Sequence, residues 1–216
     1  MITLHHLNNS RSQRIIWLLE ELGVDYDIKR YDRDPKTSLA PAELKAVHPL
    51  GKSPVITDGD NTIAESGLII EYLLDRYDQG RFLPARESAT YWQYLYWLHY
   101  AEGSLMPLLV MTLVFNKIKE APMPFFVRPI ARAIADKAIS AYSGPNLKNN
   151  LKYVEEHLSN NTWFAGEQMT GADFQMIFPL EFLPAPGKSL CQNSHAAPTF
   201  PGWAPFILPG TRPDDE

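Results

Sequence analysis

Residues Leu50 to Ile70, LGKSPVITDGDNTIAESGLII, leave the chain little conformational choice. Val55-Ile56 is a short apolar run. Asp58-Gly59-Asp60-Asn61 is a cluster of turn formers, and Thr62-Ile63-Ala64 returns as a second extended run. The short loop makes the pair a hairpin. Glu65-Ser66-Gly67 then opens a helix whose Leu68, Ile69, Tyr72, Leu73 and Leu74 fall on one broad face. A proline, Pro54, stands just before the first strand. An acid and a hydroxyl stand where the helix begins.

Upstream of this stretch, Ile2 to Leu7 reads as a strand and Asn8 to Ser12 as a polar loop. From Gln13 the pattern is helical: Ile15, Leu18, Leu19 and Leu22 line one face, and Gly23 is a good stop. Tyr26 to Tyr31 reads as a second strand. Strand, helix and strand at this spacing form a βαβ unit, whose crossover is right-handed and whose strands are parallel. A short helix from Pro41 to Val47 precedes the hairpin. The expected order is βαβ–α–ββα, an α/β domain over residues 1–80.

Beyond the Gly80 to Pro84 linker the character changes. Tyr91, Trp92, Leu95, Leu98 and Glu102 follow helical spacing, with a kink expected at Pro107. Residues 124–142 form another helical stretch that Gly144-Pro145 is expected to break. Leu147, Leu151, Val154 and Leu158 make a clean helical stripe. Thr170 and Asp173 resemble a capping box with Asp in place of Glu, and Met169 and Phe174 can form its hydrophobic staple. Residues 87–182 are therefore expected to form an all-helical domain. From Leu183 onward, seven prolines and three glycines in 34 residues cannot sustain a helix. Residues 183–216 read as an atypical tail joined onto a normal body, from an altered reading frame or a divergent terminus, and expected to pack poorly.

Composition excludes several classes of function. The 216-residue chain carries a formal net charge of −5 and no basic patch, which argues against nucleic acid as a partner. Cys191 is its only cysteine, so intramolecular disulfides, CxxC chemistry and thiolate metal cages are excluded. The six histidines show no metal-ligand spacing, and no metal is expected. The first residues do not read as a signal peptide. The most apolar run, Leu105 to Phe115, contains Pro107 and is far shorter than the roughly 20 residues that span a bilayer. A soluble cytoplasmic protein without a membrane partner is the expectation.

Three places could carry chemistry. Ser10 lies between the first strand and the first helix, where a hydroxyl can donate to an anion and the helix end adds favourable potential. A thiol presented there would have its pKa lowered from about 8.5. Ser10 or Ser12 can equally be a plain helix cap, and spacing alone favours the cap. Pro54 can be trans at a strand edge or cis. A cis bond would turn the Ser53 backbone outward to pair with an extended peptide. Glu65 and Ser66 could grip an α-amino acid, Glu65 on the ammonium and Ser66 on the carboxylate, or could simply complement the helix dipole. Lys52 could meet a second carboxylate or be solvated surface.

The segments Ser10-Arg11-Ser12-Gln13-Arg14, Trp17 to Gly23, Pro49 to Val55, Ala64-Glu65-Ser66, Phe164-Ala165-Gly166 and Thr170 to Phe174 occur in order. Together they resemble the soluble, cytosolic-type glutathione S-transferase family over residues 1 to about 180. The likeness is to bacterial-type members that use serine. It implies a thioredoxin-like N-terminal domain that binds glutathione as co-substrate and an all-α C-terminal domain that helps hold a small electrophile. It implies Ser10 as the thiol-activating residue, with Asn8 and Ser12 as other contributors. It places Lys52, Ser53, Pro54, Glu65 and Ser66 at glutathione, with Pro54 cis. A homodimer, a detoxifying transferase activity and a cytoplasmic location follow from the same likeness. A glutathione-dependent disulfide or peroxide reductase and a non-catalytic glutathione-binding module are the alternatives on this scaffold.

Overall fold

The computed structural model describes residues 1–37, 39–181 and 183. The N-terminal part holds strand β1 (Ile2–Leu7), helix α1 (Ser12–Leu22), β2 (Tyr26–Tyr31), α2 (Ala42–Val47), β3 (Val55–Asp58), β4 (Asn61–Ala64) and α3 (Ser66–Tyr77). The strands lie in the order β2-β1-β3-β4. β1 and β2 are parallel; β1 with β3 and β3 with β4 are antiparallel. This is the thioredoxin-like arrangement that the βαβ unit and hairpin imply.

Alternation along β1 divides its side chains between two faces. Ile2, Leu4 and His6 share one face. Thr3, His5 and Leu7 share the other, where Leu7 packs with Tyr31 and Leu44 of α2. β2 lies at the sheet edge and exposes four successive residues, Asp27 to Arg30. Charge along an edge strand opposes unwanted pairing with another chain.

The helical part comprises α4 (Ala89–Tyr100), a π turn (Ala101–Leu105), α5 (Met106–Glu120), α6 (Arg128–Ala138), a second π turn (Ile139–Ser143), α7 (Gly144–Asn160) and α8 (Gly171–Glu181). One expectation needs correction here. Gly144-Pro145 does not break its helix, and Pro107, where a kink is expected, does not end one. Each proline falls in the first turn of a helix that continues directly from a π turn. In the π turns the N–H of Met106 bonds to the Ala101 carbonyl and that of Gly144 to the Ile139 carbonyl, one residue beyond α-helical spacing. The extra residue lets a proline, which clashes with the carbonyl four residues earlier in an α-helix, follow without ending it.

As a result Ala89–Glu120 is one helical path of 32 residues, long and apolar enough by length and composition to cross a membrane. Its apolar length therefore exceeds the Leu105 to Phe115 run read from the sequence. The path buries Tyr94, Trp97, Leu98, Ala101, Leu105 and Leu109. It packs against α8, which makes it a core helix.

α8 also packs against α1 and α3 and so joins the two parts. At its start, Gly171 N–H donates to the carbonyl of Phe82 in the linker (3.1 Å). A Cβ on Gly171 would lie 2.6 Å from Leu74 Cδ1, 2.9 Å from Ile70 Cγ2 and 2.9 Å from Tyr94 Cε2, so only glycine fits where α3, α4 and α8 meet. The capping box is present: Asp173 accepts from Thr170 N–H (2.7 Å) and from the Thr170 hydroxyl (3.1 Å). Phe174 directs its ring to Trp17 and Phe82, at centroid distances of 4.4 and 5.4 Å. The reading of residues 183–216 as a poorly packed tail lies, apart from Leu183, outside the described residues.

Candidate functional site

Topology alone gathers the residues singled out in the sequence. The ladder pairs His5 with Val55 and Val55 with Ala64. The end of β1, the start of β3 and the end of β4 are therefore neighbours at one edge of the sheet. The loop carrying Ser10, the Ser53-Pro54 pair and the Glu65-Ser66 pair leave from that edge. Ser10 and Ser53, 43 residues apart in sequence, come to 3.4 Å between hydroxyl oxygens. The Ser53–Pro54 bond is cis. Among the described residues three that are not glycine have positive φ, and two of them, Asn9 and Glu65, sit at this edge, with φ of 50° and 72°. Such backbone costs on the order of 1–3 kcal/mol and gathers at functional sites.

Ser10 is buried, and its hydroxyl serves the start of α1 by accepting the Ser12 N–H while also meeting a second hydroxyl. The cap position of α1 is Arg11, whose own side chain makes no capping hydrogen bond. The Ser10 hydroxyl lies 2.7 Å from that of Ser12 and accepts the Ser12 N–H at 3.3 Å. Ser12 Oγ in turn lies 2.8 Å from His6 Nδ1. Ser53 Oγ donates to the His5 carbonyl (2.8 Å) and accepts the Leu7 N–H (3.2 Å), which binds the start of β3 to β1. Burial, and then the positive charge of Arg30, lower the His6 pKa below its usual value of 6.5, with Asp32 opposing.

Glu65 is the cap residue of α3, and its side chain makes no capping hydrogen bond. It is exposed, whereas Ser66 is buried. Among the described residues the Ser66 hydroxyl has no side-chain hydrogen bond, so both groups stand at a helix N-terminus without serving it. Lys52 is exposed and forms no ion pair among the described residues. It follows Gly51, whose φ is +57° and whose added Cβ would lie 2.6 Å from Lys45 Cγ. That glycine fixes how the loop enters Ser53-Pro54.

One cluster was not read from the sequence. Arg14 is buried on α1; its Nη2 donates to Glu102 Oε1 (2.5 Å) and its Nη1 to the Gln175 carbonyl (2.6 Å). Arg11 Nε donates to the same Glu102 oxygen at 2.8 Å. Both guanidinium groups lie over Phe178, 5.4 Å (Arg11) and 5.1 Å (Arg14) from the ring centre. Burial lowers the Arg14 pKa to about 10, although Glu102 opposes this. Burial raises Glu102, yet Arg11 and Arg14 together hold its carboxyl below the usual value. The Gln175 carbonyl is available because Pro179, four residues on in α8, has no N–H to give it. Glu102 lies in the first π turn, so the cluster ties that turn and α8 to the helix that leaves Ser10. The available signal was a basic residue, Arg14, on the otherwise apolar face of α1.

Family comparison gives the same outline. Residues 1–75 match the model of the glutathione S-transferase N-terminal domain, and residues 114–204 that of its C-terminal domain. Glutathione S-transferase 1 of Saccharomyces cerevisiae is 39% identical over 188 residues, 84% of this chain and 80% of that protein. The chain belongs to the glutathione S-transferase family. Glutathione S-transferase 3 of Schizosaccharomyces pombe is 43% identical over 181 residues, covering 83% of this chain and 73% of that one. A solved glutathione S-transferase from Actinobacillus pleuropneumoniae is also 43% identical, with a TM-score of 0.68 over 84% of this chain and 77% of its own. A glutathione transferase from Phanerochaete chrysosporium, solved in complex with oxidized glutathione, is 25% identical with a TM-score of 0.69 over 94% of this chain and 87% of its own. Similar relatives thus come from both fungi and bacteria.

Proposed function

We propose that the chain is a serine-type glutathione transferase that joins the glutathione thiolate to small electrophiles, in the cytoplasm and as a homodimer. The observation that carries this reading is the convergence of Ser10, Ser53-Pro54 and Glu65-Ser66 at one edge of a thioredoxin-like sheet. Glu65 pairs with the ammonium of the γ-glutamyl group. Ser66 donates to its carboxylate at the positive end of α3. Ser53 spends its hydroxyl on β1 and offers its backbone to the cysteinyl part of the ligand. Lys52, exposed beside Ser53, faces the ligand's second carboxylate.

This grip fixes the thiol beside Ser10, whose hydroxyl donates to the thiolate. Donation lowers the thiol pKa and holds the nucleophile ready for attack. In the conjugation step the sulfur forms a bond to the electrophilic carbon, and the leaving group departs with its electron pair. Alignment of the two reactants supplies the rest of the acceleration.

The test is Ser10→Ala, assayed with glutathione and an aryl halide at pH 6.5. The reading expects kcat/KM to fall roughly 100-fold, the scale for losing one donor to a developing anion, while glutathione still binds. A wild-type protein that binds glutathione and conjugates nothing would make it a binding module instead. Disulfide reduction exceeding conjugation would favour the reductase.

A further inference from the structure

His6 is the one side chain beside Ser10 and Ser12 that can change its proton count near neutral pH, and the thiol-activating role of Ser10 gives it no task. It lies on the face of β1 that carries Ile2 and Leu4, the positions that pack inward. A core strand that only needed burial would place another apolar residue there. His6 instead directs Nδ1 at Ser12 Oγ, 2.8 Å away, and Ser12 Oγ lies 2.7 Å from Ser10 Oγ.

The hydroxyl protons decide what this row can do. Each serine has one proton to donate. When His6 carries its proton on Nε2, Nδ1 accepts from Ser12, Ser12 accepts from Ser10, and Ser10 presents a lone pair to the ligand. When Nδ1 is protonated, the row reverses: His6 donates to Ser12, Ser12 to Ser10, and Ser10 presents its proton. The first arrangement can receive a thiol proton. The second can stabilise a thiolate, and each hydrogen bond in such a chain polarises the next.

We propose that Ser10, Ser12 and His6 form a proton relay that takes the proton from the bound thiol and, by the same transfer, turns the Ser10 hydroxyl toward the thiolate. The proposal rests on Ser10 facing the glutathione thiol. The thiol S–H bond breaks and a new O–H bond forms on Ser10. Ser10 passes its original proton to Ser12, and Ser12 passes its own to His6 Nδ1. The sulfur ends with one negative charge and the imidazole with one positive charge, and no other reactant is needed. A serine alone is too weak a base for this, but here it only hands the proton on.

The surroundings of His6 suit a transient acceptor. Across the β1–β2 ladder it faces Arg30, which disfavours the imidazolium, and Asp32 partly offsets Arg30. On the β3 side the next ladder position is uncharged Pro54. In the turn before α1 the charged residue, Arg11, directs its guanidinium to Glu102. The ring is therefore neutral at rest and able to accept. It is half-buried, so it can return the proton to solvent after conjugation.

The test compares wild type with Ser10→Ala, Ser12→Ala and His6→Asn. Two readouts are used: the ultraviolet absorbance of the thiolate in the glutathione complex from pH 5 to 9, and the pH profile of kcat/KM with an aryl halide. His6→Asn keeps a donor near the Nδ1 position but cannot titrate, and its site is not fully buried, so it serves if Ser12→Ala fails to fold. The relay predicts that His6→Asn moves the titration of the bound thiol up by about one pH unit, a tenfold loss of thiolate. It predicts about a tenfold loss of kcat/KM at pH 6.5 that shrinks as the pH nears the thiol's own value of about 8.5. Ser12→Ala should reproduce both. Profiles of His6→Asn that superimpose on wild type while Ser10→Ala is impaired would overturn the relay and leave the role of Ser10 standing. An unimpaired Ser10→Ala would remove both.

Discussion

The start of α8 and the starts of α1 and α3 are built from the same kinds of residue and used in opposite ways. At α8, Thr170 and Asp173 spend their capacity on the chain itself. Asp173 accepts from the N–H of Phe164 and of Thr170 and from the Thr170 hydroxyl, and that hydroxyl also accepts the Ala172 N–H. At α3, the side chains of Glu65 and Ser66 serve neither their own helix nor a neighbouring side chain among the described residues. At α1, the Ser10 hydroxyl accepts the Ser12 N–H but also meets the Ser12 hydroxyl, which runs sideways to a histidine. A saturated helix start is a structural device. An unsaturated one of the same composition holds its groups ready for something else.

The comparison makes its largest claim at Asp173. Asp173→Ala leaves three donors unpaired in a buried site and should cost roughly 3–5 kcal/mol of stability, while the molecules that remain folded keep their activity. Thermal melts paired with activity per folded molecule check this. A mild loss of stability would mean that α8 starts without its box. Ser10→Ala should invert the pattern, with a roughly 100-fold loss of conjugation, about 2.7 kcal/mol at the barrier, and little change in melting temperature. If its melting temperature falls as far as that of Asp173→Ala, α1 and α8 start on the same principle and the contrast collapses.

A smaller effect is expected at α3. Ser66→Ala should weaken glutathione binding about tenfold, the loss of one hydrogen bond to a charged group, as read by calorimetry. Unchanged affinity would return Ser66 to the role of ordinary helix residue. The subtlest expectation concerns pH. Burial raises the Asp173 carboxyl from 3.8 to about 6, against the hydrogen bonds that favour its charged form. A folded value above the unfolded one means that the native state holds the proton more tightly. This contribution to stability is full below about pH 4 and is lost as the pH rises through about 6, with a slope of at most about 1.4 kcal/mol per pH unit. Asp173→Asn should flatten that slope in denaturant titrations, whatever it does to absolute stability.

Much of this architecture was legible because its signals are local. Alternation in Ile2 to Leu7, the stripe of α1, the turn at Asp58 to Asn61 and the box at Thr170 each declare themselves within a dozen residues. The meeting of Ser10 with Ser53 was not local, and only resemblance to a family pointed to it. The π turn before Gly144-Pro145 was misread as a break, and the one before Pro107 went unread, because a proline is their one visible mark. A single extra residue in a helix leaves no period of its own. The Arg11, Arg14 and Glu102 cluster spans 88 to 91 residues of sequence, so only the fold could bring it together. His6 was visible as a residue and invisible as a role, because its partner Ser12 reads as an ordinary helix start.

Pro179 carries a consequence for anyone who would engineer this protein. By the rules for an isolated helix it is a defect, and Pro179→Ala should raise helical propensity by about 3 kcal/mol. Yet the donor it withholds is what makes the Gln175 carbonyl a socket for Arg14, whose Nε already has no partner among the described residues. An alanine there would bring a rival N–H to the same oxygen and leave a buried cation with less to hold. The improved helix would be a poorer mate for α1, and the stabilisation predicted from the helix alone would fail to appear in the whole molecule.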